Sequence, residues 1–279
     1  RPPRSTRKES SAASDVYKRQ DHFRQLLAGA YAMDEHFKNQ DFNKNVPVLM
    51  ALIGIWNRNF LNLPAYAVLP YDNRLRSLPR YLQQLDMESN GKGIDRQGQA
   101  CTHQTAPILF GEAGTNGQHA FHQLLHQGTT TVPCDFIGFR QTTYSQEHHH
   151  ILLSNMLAQS QAMMTGRTLE ESTAMLRAQN AERIDMLAPA MSFSGNRPSN
   201  TLLFDRLTPF SLGSLLALYE HKVFVQGVIW NINSFDQMGV ELGKTLSNKI
   251  LHSLQIESIS DEFDGSTAAL LTYLMKRSD

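Results

Sequence analysis

The chain has 279 residues, 41% of them hydrophobic and 19% charged, and its 26 Lys and Arg balance 26 Asp and Glu to give no formal net charge. This is the composition of an ordinary globular protein, with apolar material for one large domain or two small ones. A neutral chain lacks the basic footprint that nucleic acid or an anionic membrane surface would require, so an anionic ligand has to be held by a few placed groups.

Residues 1–20 (RPPRSTRKESSAASDVYKRQ) are basic, polar and Ser-rich, with no period that buries a face. They read as a disordered tail or as a non-native segment resembling translated adapter sequence, and they have no apolar core that would make a secretory signal. From about Asp21, the residues Phe23, Leu26, Leu27, Ala30, Tyr31 and Phe37 recur at helical spacing as one apolar stripe. A second helix is predicted from near Asn45, with Pro47 in its first turn and Leu49, Ile53, Trp56 and Phe60 down one face.

After Pro64 the pattern changes to short apolar runs. Residues 65–71, 107–110 and 131–139 read as strands buried on both faces, and 201–207 as a fourth. Helical stretches lie between them, at about 118–127 and 149–165. Thr168 with Glu171 is a capping-box signature for the next helix. Thr208 and Pro209 suit the cap and first position of another, which carries Leu212, Leu215, Leu216 and Tyr219. The longest apolar run, 223–230, is broken by Gln226 and Gly227 and falls short of the ~20 residues that a membrane span needs. Cys101 and Cys134 have neither disulfide nor zinc spacing and read as small buried hydrophobes in a reducing, cytoplasmic setting. Strands alternating with helices predict an α/β fold, a three-layer αβα sandwich around a mostly parallel sheet.

Three polar segments stand out between the buried elements. In QQLDMESNGK (83–92), Glu88 enters a Ser-Asn-Gly turn and is either a general base or a solvated helix-end carboxylate. In GEAGTNGQHAF (111–121), Gly111, Gly114 and Gly117 permit close backbone approach to a ligand. The glycine spacing fits neither a Walker loop nor a dinucleotide fingerprint. His119 is placed near a helix N-terminus, where a neutral imidazole can move a proton or simply cap. In NINSFDQMGVELGK (231–244), Ser234 or Asp236 caps a helix with Val240 and Leu246 on its buried side. Gln237 and Lys244 share a face two turns apart, which suits a polyhydroxylated anion, although an exposed lysine explains Lys244 equally well. His148, His149 and His150 are adjacent and so point in different directions on a helix, which argues against a metal site.

Taken in order, MESNGK, GEAGTNGQHAF with the following HQG, and SFDQMGVELGK resemble the glucose-6-phosphate isomerase family from about Asp21 onward. That resemblance implies an aldose–ketose isomerase acting on a hexose phosphate, with no metal and no cofactor. It implies that Glu88 shuttles the proton between C1 and C2, and that His119 assists ring opening from the partner subunit of a homodimer. Lys244 would sit beside the ring oxygen, and Gln84 and Gln237 would line the substrate site.

The resemblance divides the chain into 1–20 outside the match, a helical connector at 21–63, a second sugar-isomerase (SIS) domain at 64–209 and a helical C-terminal arm at 210–279. The family's phosphate-binding first domain and its Gly-Gly-Arg motif are not found here, so the chain alone is expected to be inactive. The competing expectation is a non-catalytic sugar-phosphate-binding SIS module.

Overall fold

A computed structural model describes the backbone of residues 5–276 and the side chains from Arg19 onward. The elements in chain order begin with α1 (Ser5–Asn39), α2 (Val46–Ile55), β1 (Ala65–Pro70), α3 (Leu78–Gln83) and β2 (Ile108–Gly111). The middle of the chain contains α4 (Gly114–Ala120), α5 (His122–Gln127), β3 (Cys134–Gln141), α6 (Gln146–Thr165), α7 (Leu169–Ala178) and α8 (Ile184–Ala190). β4 (Ser199–Arg206), α9 (Pro209–Ile229), α10 (Met238–Gln255) and α11 (Gly265–Met275) complete it.

The four strands are all parallel, in the order β2-β1-β3-β4. Side chains along β1 alternate between two cores, as a two-residue period requires. Tyr66 and Val68 join Leu109, Ile137 and Phe139 against Leu78 and Leu82 of α3 and Leu215, Leu218 and Tyr219 of α9. Ala67, Leu69 and Tyr71 join Cys134 and Phe136 against Leu125 of α5 and Met156 and Met163 of α6. Each large side chain buried this way contributes roughly 1.5–3 kcal/mol. The result is the expected three-layer sandwich. Burial pushes the Cys134 thiol up and keeps it inert, whereas Cys101 is only half-buried.

The caps read from the sequence at Thr168 and Thr208 form, and Asn45, read only as the region where a helix begins, caps as well. The Asn45 side chain accepts from Val48 N–H at the start of α2. Thr168 and Glu171 bond reciprocally at α7, and Thr208 and Ser211 do the same at α9.

α1 packs along α9 through two glycines. A Cβ on Gly29 would lie 1.8 Å from the Phe210 carbonyl oxygen, and one on Gly213 would lie 1.9 Å from that of Leu26. Ser214 Oγ donates to Gly29 O at 2.8 Å, and His221 meets Asp34 at 2.7 Å while stacking on Phe37. Half of the stripe expected on α1 faces outward, because α9 covers only the Leu26–Gly29–Met33 side, and Phe23, Leu27 and Tyr31 are exposed. The face expected of α2 is also turned out: Ile53, Trp56 and Phe60 are exposed, and Val48, Met50, Ala51 and Ile55 are buried instead. The helix α1 starts within the Ser-rich segment; once a helix is nucleated by packing, each further residue extends it at little cost.

One compact unit reaches Phe235 and a second begins at Asp236. The first contains the sheet and α9; the second contains α10 and α11. Among the described residues no helix is long and apolar enough to cross a membrane.

Candidate active site

The geometry around Glu88 starts with a change of helical pitch. α3 passes directly into a π-helical turn, Gln84–Glu88, which brings Asp86 inward and leaves Gln84 exposed and Glu88 half-buried. Single π turns are frequent at functional sites because they aim a side chain that an α turn would misplace. No hydrogen bond or ion pair engages the Glu88 carboxylate among the described residues, so it is available to a ligand.

Two buried anchors hold this turn to α9. The Asp86 carboxylate pairs with Lys222 Nζ at 3.5 Å, both side chains being 3% exposed. The Lys222 ammonium also lies 4.3 Å from the centroid of the Tyr66 ring, which offsets part of its lost hydration. Burial pushes the Asp86 carboxyl up, and Lys222 pulls it partly back. On the other side of Glu88, Asn90 is fully buried and donates to Val223 O at 2.8 Å, while Ser234 Oγ donates to Asn90 Oδ1 at 2.5 Å. This approach needs Gly227, where a Cβ would lie 1.9 Å from Ser234 Oγ. Lys92 Nζ closes the turn by donating to the carbonyls of Glu88 (2.7 Å) and Ser89 (2.9 Å).

The anchors connect to a buried polar centre under the sheet. Asp135 accepts from Tyr66 OH, from Tyr219 OH at 2.7 Å and from Asn200 Nδ2 at 2.8 Å. Burial first, and the Asp135 charge second, push both tyrosines well up, so both stay protonated and donate to Asp135. Asp86, Lys222 and Asp135 were not singled out in the sequence, and Asn90 was read only as part of a turn. The one available signal was at Asp135, a carboxylate inside the apolar run 131–139.

The other expected residues are placed as follows. His119 is exposed and lies in the last turn of α4, not near a helix N-terminus, because the helix begins at Gly114 and ends at Ala120. The positive end of the α4 dipole therefore does not favour its neutral form. The glycines of this segment serve internal packing: a Cβ on Gly111 would strike Val68 O at 2.0 Å, and one on Gly114 would strike the Tyr71 ring at 2.5 Å.

Gln237 and Lys244 belong to the second unit. Gln237 itself occupies the N-cap position of α10, in place of Ser234 or Asp236, and makes no side-chain cap bond. Val240 and Leu246 are 46% and 44% exposed within that unit, not buried. Lys244 is exposed and pairs with Glu241 at 2.7 Å. The structure thus brings Gln84 and Glu88 together on one turn. Lys244 lies inside α10 and Gln237 just outside it at the N-cap, in a non-helical conformation, so the helical face expected to carry both is not formed. No hydrogen bond or ring contact joins His119 to Glu88 among the described residues.

Residues 15–271 match the phosphoglucose isomerase family. Glucose-6-phosphate isomerases of Chlorobium phaeobacteroides and Gloeobacter violaceus are 54% and 55% identical over 254 and 253 residues. Each match covers 90% of this chain and 45% of the relative. The chain spans about half the length of the curated relatives it matches. The crystal structure of a glucose-6-phosphate isomerase from Chlamydia trachomatis superposes with a TM-score of 0.76 at 40% identity, covering 91% of this chain and 46% of that one. A hypothetical protein of Thermus thermophilus, 24% identical with a TM-score of 0.58, shares the fold. The chain belongs to the phosphoglucose isomerase family.

Proposed function

We propose that the whole protein interconverts glucose 6-phosphate and fructose 6-phosphate, with Glu88 as the base. The observation that supports this most is the available, half-buried Glu88 carboxylate on a π turn held from both sides by buried anchors. In the open-chain aldose, Glu88 takes the C2 proton, and the electron pair left behind forms an enediol as the C1 carbonyl oxygen is protonated. Returning the proton to C1 while the C2 hydroxyl loses its own gives the ketose. Such general-base help is worth ~10²–10⁴-fold, and the remainder comes from charge stabilisation of the intermediate.

On this reading His119 reaches the ring oxygen of a sugar bound to the partner subunit of a homodimer, Lys244 lies beside that oxygen, and Gln84 and Gln237 hold hydroxyls. Residues 21–63 connect the two halves of the protein, 64–209 form its second SIS domain and 210–279 its arm. The setting is cytoplasmic. The activity belongs to the whole protein, since a phosphate held at a distance from the reacting carbons is what positions them.

The test is isotope exchange. Full-length protein incubated with fructose 6-phosphate in heavy water should place deuterium at the transferred position, and Glu88→Gln should not. Binding of the sugar phosphate with no exchange by the unaltered protein would favour the non-catalytic SIS module instead.

A further inference from the structure

The carboxyl edge of the sheet lies opposite the Glu88 turn. α3 carries the chain from the end of β1 back toward the start of β2, where Ala106 N–H bonds to Asn90 O, so Glu88 is at the amino edge. At the other edge the strand order reverses between β1 and β3: β2 lies on one side of β1, and β3 and β4 on the other. In parallel sheets the crevice outside the carboxyl ends at such a reversal is where ligands bind. A cavity of about 280 Å³ lies there, between the segment after β1 and the start of α6. It is near the lower end of ligand-site sizes, which suits a small ligand.

We propose that this carboxyl-edge cavity binds a phosphate-class oxyanion, either free or as a monophosphate ester, on Arg74, His149 and the N-terminus of α6. Three observations carry the assignment. His149 is 8% exposed, lines the cavity, and has an Nε2 atom without a hydrogen-bond partner among the described residues. Leaving a buried ring nitrogen unmatched is costly; this Nε2 has almost no accessible surface as it stands, and a small turn of the ring toward the cavity would let an anion oxygen accept from it.

Arg74 is preset. Its Nε and Nη2 donate to the two oxygens of Asp72 at 2.9 and 2.6 Å, and its guanidinium lies 5.4 Å from the centroid of Tyr144. Asp72 cancels much of that charge, yet three of the five guanidinium N–H groups remain beyond these two bonds. The third observation is the 20-residue helix α6, whose Ser145 cap accepts only from His148 N–H. That leaves the first N–H groups of the helix directed at the crevice with the positive end of its dipole. Thr142 and Ser145 add hydroxyls to the lining. The set is rich in donors, which selects an anion. Among the described residues no three His, Cys, Asp or Glu side chains are grouped to hold a metal ion.

This site does not rest on the isomerase reading. The test is calorimetric titration of the 279-residue chain with inorganic phosphate and, separately, with glucose 6-phosphate and glucose. Saturable phosphate binding is expected. His149→Gln and Ser145→Ala should each weaken it about tenfold, the loss expected of one charge-assisted hydrogen bond. Glu88→Gln should leave it unchanged, which separates this site from the isomerase site.

Equal affinity for phosphate and glucose 6-phosphate would assign the site to the free anion, and tighter binding of the ester, lost in His149→Gln, to a sugar phosphate. Glucose alone should not bind. Should His149→Gln fail to fold, Ser145→Ala and Arg74→Gln test the same contacts from more exposed positions. Absence of saturable phosphate binding, or affinity unchanged in the folded variants, would overturn the proposal.

Discussion

Asp86 and Lys222 form a buried ion pair that ties the turn carrying Glu88 to the middle of α9, 136 residues away in the chain. The pair is asymmetric: Asp86 Oδ1 has no hydrogen-bond partner among the described residues, whereas Lys222 also faces the Tyr66 ring. Such a pair adds little net stability, since desolvation of both charges cancels most of their attraction. Its effect is on position, because the charged turn has only one place on α9 where its carboxylate is matched.

Lys222→Met should therefore destabilise the fold by about 3–5 kcal/mol, because it leaves the Asp86 carboxylate buried without a counter-charge. The double variant Asp86→Leu/Lys222→Met should cost less than either single change. Urea unfolding of the four proteins measures this cycle. A double variant as unstable as the sum of the singles would show that the two residues do not act as a pair.

The crossing of α1 and α9 makes a second prediction with two opposed terms. Alanine is a better helix former than glycine by about 1 kcal/mol, which favours Gly213→Ala. Against that, its Cβ would lie 1.9 Å from the Leu26 carbonyl oxygen, a backbone atom that cannot swing aside. Forced separation of packed elements costs about 1–3 kcal/mol, so a net loss of stability is expected. A variant with an unchanged or raised urea midpoint would mean that α1 does not hold this position in solution.

The strands were legible because a parallel strand buried on both faces leaves an uninterrupted apolar run, as at Ala65–Pro70. The caps at Thr168 and Thr208, and the helix start near Asn45, were legible because their chemistry is local. The outward-facing sides of α1 and α2 were not, since periodicity reports that a stripe is apolar without reporting what covers it. The π turn was also invisible: an i→i+5 bond pattern at Gln84–Glu88 is fixed by Asp86 meeting Lys222 and Asn90 meeting Val223, contacts that no local pattern encodes. His119 was assigned to the wrong end of its helix because Gly114 and Gly117 read as loop residues, whereas they lie inside α4. The chemistry-bearing residue types were found from their motifs, and the groups that hold Glu88 in place were found only from the fold.

His122 gives a pH prediction. Its Nδ1 lies 3.2 Å from Gln159 Oε1, and burial, set against that bond, holds its pKa below the ordinary histidine value; nearby His126 lowers it further. Between the ordinary value of about 6.5 and the depressed one, the unfolded chain binds a proton that the folded chain does not. Stability from this residue is thus present above about pH 6.5 and is lost as pH falls through the depressed value. The fall in urea midpoint from about pH 7.5 to about pH 5.5 should be smaller in His122→Gln than in the unaltered chain. Equal falls in both proteins would remove His122 as a source of acid sensitivity.

The last prediction separates the base from the groups that aim it. In the full-length protein, Glu88→Gln keeps the shape of the side chain but cannot accept a proton, so kcat should fall by at least ~10²-fold with KM little changed. Asn90→Ala acts differently. It removes the donor to Val223 O and the acceptor for Ser234 Oγ, leaving both groups unmatched beside the turn, while the Glu88 carboxylate keeps its chemistry. A displacement of about 1 Å at a reacting group can cost ~10² in rate, so kcat should drop by a measurable but smaller factor than in Glu88→Gln. The pH dependence of the residual kcat should keep the low-pH limb, where a base that must be ionised is lost, in Asn90→Ala and lose it in Glu88→Gln. Steady-state kinetics across pH, with folding verified by circular dichroism, reads both effects. If Asn90→Ala loses that limb as completely as Glu88→Gln does, then Asn90 takes part in the proton transfer and the clamp account is wrong. If Glu88→Gln retains near-normal turnover, the proton is taken by another group and the π turn has a different purpose.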